Sequence, residues 1–418
     1  MEFTSEQQFV FNKYTQGENI FITGPGGVGK SELIKFIYED AKASGKNIAV
    51  TATTGCAAIR LNCNARTIHS WAGIGLGNKT ASEFVRKFNP YVKGIWRTID
   101  ILVIDEVSML SMKLFQLLNN IAKKIRNNQM PYGGIQVIFS GDFYQLPPVG
   151  DKDDVESQCF CFESPEWDAV FPCQIELTRI FRQNDVYAKI LNQIRQGIIK
   201  KSADRILRER VGLTADSLII PTKLYPTKLK VDTINRENME RLSGEERVFK
   251  ITRVGPSSKE AEMECEMIKK GLLCDHEITL KEGAQVMCII NIQNEKVLEL
   301  CNGSQGIVTS FTPDGHPVVQ FQNGIHRPML PHIWESEKIA GVGISQLPLI
   351  LAWAISIHKS QGSTLDMAEI DIGSGIFECG QSYVALSRVK SLDGLYLSSY
   401  DPSKIKINQK VKKYYENI

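Results

Sequence analysis

The strongest chemical signal in the chain is GPGGVGKS, residues 24–31. Gly24, Gly26, Gly27 and Gly29, with Val28 among them, let successive amides turn inward on a polyphosphate. Lys30 then reaches the β and γ oxygens, and Ser31 offers a hydroxyl to Mg²⁺. The stretch follows an apolar run, ENIFITG (18–24), and opens SELIKFIYEDAKA (31–43), whose Leu33, Ile34, Ile37 and Ala41 have helical spacing. Strand, loop and helix in that order are the setting a phosphate loop needs. A glycine-rich turn with a chance Lys-Ser is the weaker reading.

Other polar groups end apolar runs. IDILVIDE (99–106) is a strand pattern closing on two acids. Asp105 suits the magnesium shell, and Glu106 suits orienting or deprotonating an attacking water; the alternative is an acid pair at a helix N-terminus. In GDFYQLPPV (141–149), Asp142 and Gln145 are polar tips. Gln145 could bond a γ-phosphate and report its loss; a plain polar loop end is the alternative. Arg182 in TRIFRQ (178–183) and Arg388 in VALSRVK (384–390) have no obvious local acid, and both read as part of a second α/β half. They could neutralise developing charge as arginine fingers, although ordinary surface arginines are the better reading of those residues alone.

LPLILAWA (347–354) reads as a strand buried on both faces. It runs at once into ISIHKSQGSTLD (355–366), where every residue from His358 to Thr364 is a donor, an acceptor or a glycine. His358 and Lys359 suit phosphate oxygens, Ser363 and Thr364 can donate to the same strand, and Gly362 permits close backbone approach. A solvated surface loop is the bland alternative.

These residues need a scaffold, and the rest of the chain supplies its pattern. Short apolar strands at 18–24, 47–53, 99–106 and 135–142 alternate with helical stretches, among them MKLFQLLNNIAKKIR (112–126). That alternation reads as a parallel sheet with helices on both faces. It resumes with IELT (175–178), a helix near 185–196, SLIIPT (217–222), LPLILAWAIS (347–356), AEIDIG (368–373) and LYLSSY (395–400). Between those strands, AQVMCII (284–290), SQGIVTSF (304–311) and HPVVQF (316–321) are broken by Asn-Gly and Asp-Gly turns. This is antiparallel chemistry, read as a small barrel inserted into a second α/β domain.

With 418 residues the chain has room for two to four domains. A net charge of +2 excludes bulk attraction to a polyanion, so any such partner must be held by a local groove. No apolar run approaches the ~18 residues of a membrane span, and MEFTSEQQFV shows no targeting signal. The ten cysteines are irregularly spaced and form no paired CxxC, which predicts thiols in a reducing compartment, cytoplasm or nucleus. Trp71, Phe88, Tyr91 and Trp96 could stack on bases or wedge a duplex fork, or simply be core. Lys404, Lys406, Lys410, Lys412 and Lys413 read as a solvated helix face that could touch nucleic acid.

Taken together, FTSEQ (3–7), GPGGVGKS, TTGCAA (53–58), RTIHSW (66–71), VIDEVSM (103–109), PYGGIQVIFSGDFYQLPPV (131–149), FRQ (181–183), SIHKSQGSTLD (356–366) and YVALSRV (383–389) resemble the PIF-type, or petite-integration-frequency, DNA helicases. These belong to superfamily I, in the RecD-related branch that moves 5′ to 3′. The motifs run in family order along nearly the whole chain, and the helix 112–126 followed by PYGG resembles the stretch that separates this family from RecD proper. The resemblance implies an α/β fold of two RecA-like P-loop NTPase domains, with ATP between them and single-stranded DNA across their tops. The first would span 1–172, with a small wedge insertion at about 72–98. The second would span 173–280 and 346–418, interrupted by an SH3-like β-barrel at 281–345. Residue by residue, Gln7 would read the adenine, Arg182 and Arg388 would be the two arginine fingers, and Lys30, Ser31, Asp105, Glu106 and Gln145 would keep the roles above. Gly362 is counted with the nucleotide-binding positions. Thr54, Gly55 and His69, with His358, Lys359, Ser363 and Thr364, would line the DNA channel.

The implied activity is ATP- and Mg²⁺-dependent translocation along single-stranded DNA and unwinding of forks, by a monomer with no membrane partner. A nucleic-acid ATPase that displaces proteins without separating strands is the alternative, and a cytosolic metal-binding protein, resting on the cysteines alone, a third. Thr53 stands where the family usually has proline, and Ser356 where it usually has threonine.

Overall fold

The computed structural model describes residues 3–418 except 62, 76, 184, 216–218, 273, 295–296, 301 and 337–338. The chain divides into two units. One comprises Met1–Ile198, Glu378–Tyr383 and Ile405–Ile418; the other comprises Ile199–Phe377 and Val384–Lys404.

The first unit is built on six strands: β1 (Ile20–Thr23), β2 (Ile48–Ala52), β3 (Arg66–Thr67), β4 (Ile101–Asp105), β5 (Gln136–Ser140) and β6 (Cys173–Glu176), in the order β3-β2-β4-β5-β1-β6. Every pairing is parallel. β1 and β4 are buried along their whole length, as expected of strands covered on both faces. The helix Lys30–Ala43 buries the four apolar positions its spacing singled out. The helix Met112–Arg126 begins behind Ser111, whose hydroxyl accepts from the Leu114 amide. Because β4, β5 and β1 are adjacent and parallel, they deliver their following loops to one edge of the sheet, where open α/β sheets bind ligands.

β6 corrects the expected division at 172/173. Its residues pair with β1 from Ile20↔Cys173 to Thr23↔Glu176, so the first sheet continues past that point and takes Arg182 with it. A four-residue strand carries too little pattern to say which sheet it joins. Trp71 and Trp96 are core: both are buried, their rings lie 4.6 Å apart, and the Trp96 Nε1–H donates to the Ala72 carbonyl at 3.2 Å. Phe88 is buried too, whereas Tyr91 is exposed.

The second unit has a four-stranded parallel sheet ordered Ala354–Ser356, Thr222–Tyr225, Ala368–Ile372, Leu395–Tyr400. A five-stranded antiparallel sheet runs His326–Pro328, Pro317–Phe321, Gln305–Phe311, Gln285–Cys288, Leu349–Leu351. The run 347–356 is therefore not one strand. Leu349–Leu351 pairs antiparallel with Gln285–Cys288, and Ala354–Ser356 pairs parallel with Thr222–Tyr225. An unbroken apolar run cannot show where a chain changes sheets. The expected strand at 217–222 partly falls outside the described residues; the strand found there is Thr222–Tyr225.

Cys63, Cys159, Cys161, Cys173, Cys265, Cys274, Cys288 and Cys379 are free thiols, and among the described residues no cluster of three or more His, Cys, Asp and Glu could hold a metal ion; the Cys56 side chain and Cys301 lie outside the description. No described helix is long and apolar enough to cross a membrane.

Candidate nucleotide site and candidate strand-contacting turn

The loop after β1 is a tight cradle. Gly24, Gly27 and Gly29 have φ of +134°, +86° and +86°, in or beyond the left-handed region that side chains avoid. A Cβ on Gly24 would lie 2.2 Å from the Leu177 carbonyl oxygen, one on Gly27 2.6 Å from the Arg182 Cβ, and one on Gly29 2.7 Å from the Gln7 Nε2. Gln7 and Arg182 therefore both close directly on the loop. Gln7 is fixed by a reciprocal cap: its amide donates to the Thr4 hydroxyl at 3.2 Å, and its Oε1 accepts from the Thr4 amide at 3.0 Å. That spends the oxygen locally and leaves Nε2 facing Gly29.

Lys30 opens the following helix, with Ser31 beside it in the first turn. The Lys30 ammonium donates to the Gly24 carbonyl at 2.6 Å and the Pro25 carbonyl at 2.9 Å. Burial lowers its pKa, and the Asp142, Glu106 and Asp105 carboxylates act the other way. A half-buried cation bent back on carbonyl oxygens is a group kept ready for an anion.

Asp105 ends β4, and both it and Glu106 are buried. Glu106 is left-handed at φ 54°, ψ 42°, a conformation that costs a non-glycine residue roughly 1–3 kcal/mol. Thr53, at the end of β2, holds this turn. Its amide donates to the Asp105 carbonyl at 3.2 Å and its hydroxyl to the Glu106 carbonyl at 2.9 Å. Proline could make neither bond. Gln145 follows β5; it is buried, and its Oε1 finds no hydrogen-bond partner among the described residues. Thr54 caps the helix Gly55–Leu61, its hydroxyl accepting from the Ala57 amide at 3.3 Å. His69 lies in the helix Ile68–Ala72, half-buried, and burial lowers its pKa, which keeps the ring neutral at pH 7.

In the second unit, Ser356 caps the short helix Ile357–Ser360 by accepting from the Lys359 amide at 3.2 Å, so serine does there what threonine would. His358 and Lys359 are half-buried on that helix. Gly362 turns the chain at φ +86°, and the Ser363 hydroxyl donates to the Ser360 carbonyl at 2.7 Å. Thr364 backs onto Gly303, where a Cβ would meet its carbonyl oxygen at 2.4 Å. Arg388 is only 2% exposed. Its guanidinium donates to the Val384 carbonyl at 2.8 Å, the Ser387 hydroxyl at 2.7 Å and the Ser363 carbonyl at 3.4 Å. It is no surface arginine. Arg182, expected on the second half with it, lies in the first unit beside Gly27.

Sequence reasoning missed Arg195 and Tyr415. Asp142, read as a polar tip, is fully buried and gripped by Arg195. Tyr414 and Tyr415, directly after the lysine run, follow Val411 at helical spacing, an apolar stripe that was there to be read.

Residues 2–214 match the model of the PIF1-like helicase family, and residues 265–311 match that of the DNA helicase Pif1 2B domain. The chain is 35% identical to the ATP-dependent DNA helicase PIF1 of Emericella nidulans, aligning over all of its own length and 63% of that protein's. It thus spans just under two thirds of that relative. Among solved structures, the Pif1 helicase of Candida albicans matches with a TM-score of 0.80 and 35% identity, covering 100% of this chain and 99% of that one. The Bacteroides Pif1 helicase in complex with ADP-AlF3 and ssDNA matches with a TM-score of 0.71 and 29% identity, covering 100% and 97%. Glycine cradle, carbonyl-tethered lysine and acid-tipped strand on RecA-type parallel sheets accord with those likenesses, and the chain belongs to the PIF1-like helicase family.

Proposed function

We propose that this chain is an ATP-dependent 5′-to-3′ DNA helicase that moves on single-stranded DNA and opens forks. The observation that carries the reading is the convergence, on one edge of β4-β5-β1, of the phosphate loop, Asp105-Glu106 and Gln145. The matched helicases, one of them in complex with ADP-AlF3 and ssDNA, supply the substrate class.

In this reading Gln7 offers Nε2 to the adenine, and the loop amides with Lys30 hold the β and γ oxygens. Ser31 and Asp105 would hold Mg²⁺, which neutralises phosphate charge when bound. Glu106 orients or deprotonates the attacking water, and Gln145 senses the γ-phosphate by donating its Nε2–H to it, while its unpartnered Oε1 can accept from the attacking water. Arg182 and Arg388 stabilise charge in the transition state. Thr54, Gly55 and His69 in one unit, and His358, Lys359, Ser363 and Thr364 in the other, grip the strand. Gly362 lies in that same turn, and we assign it there to close backbone approach as well as to the nucleotide-binding set. Residues 72–98 serve as a wedge and 281–345 as an SH3-like module. The protein acts as a monomer inside the cell.

The test is unwinding of matched 5′-tailed and 3′-tailed duplexes with ATP, with Lys30→Ala as control. Only the 5′-tailed duplex should open, and Lys30→Ala should lose turnover by at least about 100-fold while its unfolding profile is retained. Equal opening of both tails would overturn the polarity. ATP-driven movement with no strand separation would reduce the protein to a translocase.

A further inference from the structure

The segments Glu378–Tyr383 and Ile405–Ile418 belong to the first unit and pack on the loop that carries Gln145. Gly380, at φ +77°, sits so close that a Cβ would lie 2.5 Å and 2.6 Å from the Tyr144 and Gln145 carbonyl oxygens. Its amide donates to the Lys406 carbonyl at 3.2 Å, tying the two segments together. The Tyr383 hydroxyl accepts from the Gly26 amide of the phosphate loop at 3.1 Å. The helix Gln409–Tyr415 then brings in Tyr415. Its hydroxyl pairs with the Thr23 hydroxyl at 2.5 Å, accepts from the Phe143 amide at 3.1 Å and reaches the Asp142 carboxylate at 3.4 Å. Thr23 immediately precedes the phosphate loop, and Phe143 lies two residues before Gln145. One hydroxyl thus joins the roots of both loops.

Arg195 completes the joint. Its Nε and Nη2 donate to the two Asp142 oxygens, each at 3.0 Å, and its Nη1 to Glu176 at 2.8 Å. The guanidinium lies 4.8 Å from the Tyr144 ring centre and 5.2 Å from that of Tyr415, and the two rings are themselves stacked at 4.7 Å and 12°. Burial pushes the Tyr415 hydroxyl well above its ordinary pKa, so it stays a protonated, neutral bridge.

We propose that Tyr415 and Arg195 are positioning residues for ATP hydrolysis, holding the Gln145 loop in register with the phosphate loop through the Thr23–Tyr415–Asp142–Arg195 bridge. This rests on the proposed function. Neither residue touches nucleotide; they act through Thr23, Asp142 and Phe143. The stretch Val384–Lys404, which carries Arg388, is anchored at both ends by the segments that make this bridge.

Tyr415→Phe keeps the stacked ring and removes only the hydroxyl. Tyr414→Phe is the control on the same helix: its hydroxyl has two partners, the Trp167 Nε1–H at 3.1 Å and Gln174 at 2.5 Å, but neither bond is made to a residue of the phosphate loop or of the loop that carries Gln145. Both variants should lower the thermal midpoint by a similar 2–4 °C, roughly one buried hydrogen bond's worth. Only Tyr415→Phe should also lower DNA-stimulated kcat, by about 5- to 10-fold, with the KM for ATP unchanged. Arg195→Lys, which loses the two-pronged grip, should show the same kcat-selective loss. Wild-type turnover in Tyr415→Phe, or an equal kcat loss in Tyr414→Phe, overturns the inference while leaving the helicase reading intact. Absence of any ATP hydrolysis by the wild-type protein would sink the helicase reading, and this inference with it.

Discussion

The two units present their candidate residues in opposite ways. In the first, the phosphate loop, Asp105-Glu106 and Gln145 come from three strands distant in sequence and meet only because β4, β5 and β1 pair in parallel. In the second, His358, Lys359, Ser363 and Thr364 sit within one turn, held by bonds of three residues' reach: Lys359 amide to Ser356, Gln361 amide to His358, Ser363 to Ser360. Both sites use a glycine at φ +86°, Gly29 in one and Gly362 in the other. Transferring a phosphoryl group requires charges placed around one atom from several directions, which a sheet edge provides. Gripping a strand requires only a row of donors, which a local turn provides. The first kind of site should fail sharply when one member is lost, the second gradually.

Arg388 tests this contrast hardest, because it lies in the second unit yet is proposed to act in transition-state chemistry. Arg388→Ala should cut turnover by roughly 10³-fold or more, the scale of an arginine finger. Its burial adds a second effect. Truncation also removes the guanidinium donor from the Val384 and Ser363 carbonyls, the former keeping the Ser387 hydroxyl, which should cost about 1–3 kcal/mol of unfolding free energy. Arg388→Lys keeps the charge and should recover stability more than turnover, because one ammonium cannot reproduce the planar fork. If both variants lose stability but hydrolyse ATP at wild-type speed with saturating DNA, Arg388 is a packing residue.

Legibility in the sequence followed the same division. GPGGVGKS, IDILVIDE and the helix 112–126 were readable because strand, loop and helix each write a local pattern, and the helix falls at Met112–Arg126 as its spacing implies. The turn at 356–364 was readable for the same reason. What stayed hidden was pairing. Nothing in a four-residue run told β6 which sheet to join, or 347–356 that it would be shared between two sheets. Asp142 looked like a loop tip because its partners lie 53 and 273 residues away, in Arg195 and Tyr415. Long-range polar partners leave no period in a sequence.

The strand-contacting turn should respond in a graded way. Changing His358 and Lys359 together to Ala should weaken single-strand binding similarly for unrelated sequences, since phosphates carry no base identity. The slope of log affinity against log salt should shrink by about 0.7, the share of one phosphate contact on a single strand. His69→Asn is the counterpart in the first unit. Because its ring is neutral at pH 7, it can lower affinity but should leave that slope unchanged. Anisotropy titrations over several salt concentrations with two oligonucleotides separate the cases. An unchanged slope in the double variant would remove Lys359 from the strand.

The smallest expected effect falls on Thr53, which probes how finely the first unit sets its acids. Its hydroxyl holds the Glu106 carbonyl at 2.9 Å while its amide holds the Asp105 carbonyl at 3.2 Å. That bond opposes relaxation of Glu106 from a left-handed backbone that costs it energy. Thr53→Val conserves shape and removes the hydroxyl, so one of the two bonds is lost and the Asp105 end stays fixed. A net hydrogen bond is worth about 1 kcal/mol, which predicts a fall in kcat of roughly fivefold at most. The KM for ATP should hold, because Lys30 and the loop amides are untouched. Single-strand affinity should hold too, because the neighbouring Thr54 keeps its own bond to the Ala57 amide and the turn at 356–364 is untouched. A steady-state comparison at saturating DNA reads this directly. Loss of ATP affinity instead of kcat would mean that the Thr53 hydroxyl shapes the phosphate cradle and not the orientation of Glu106.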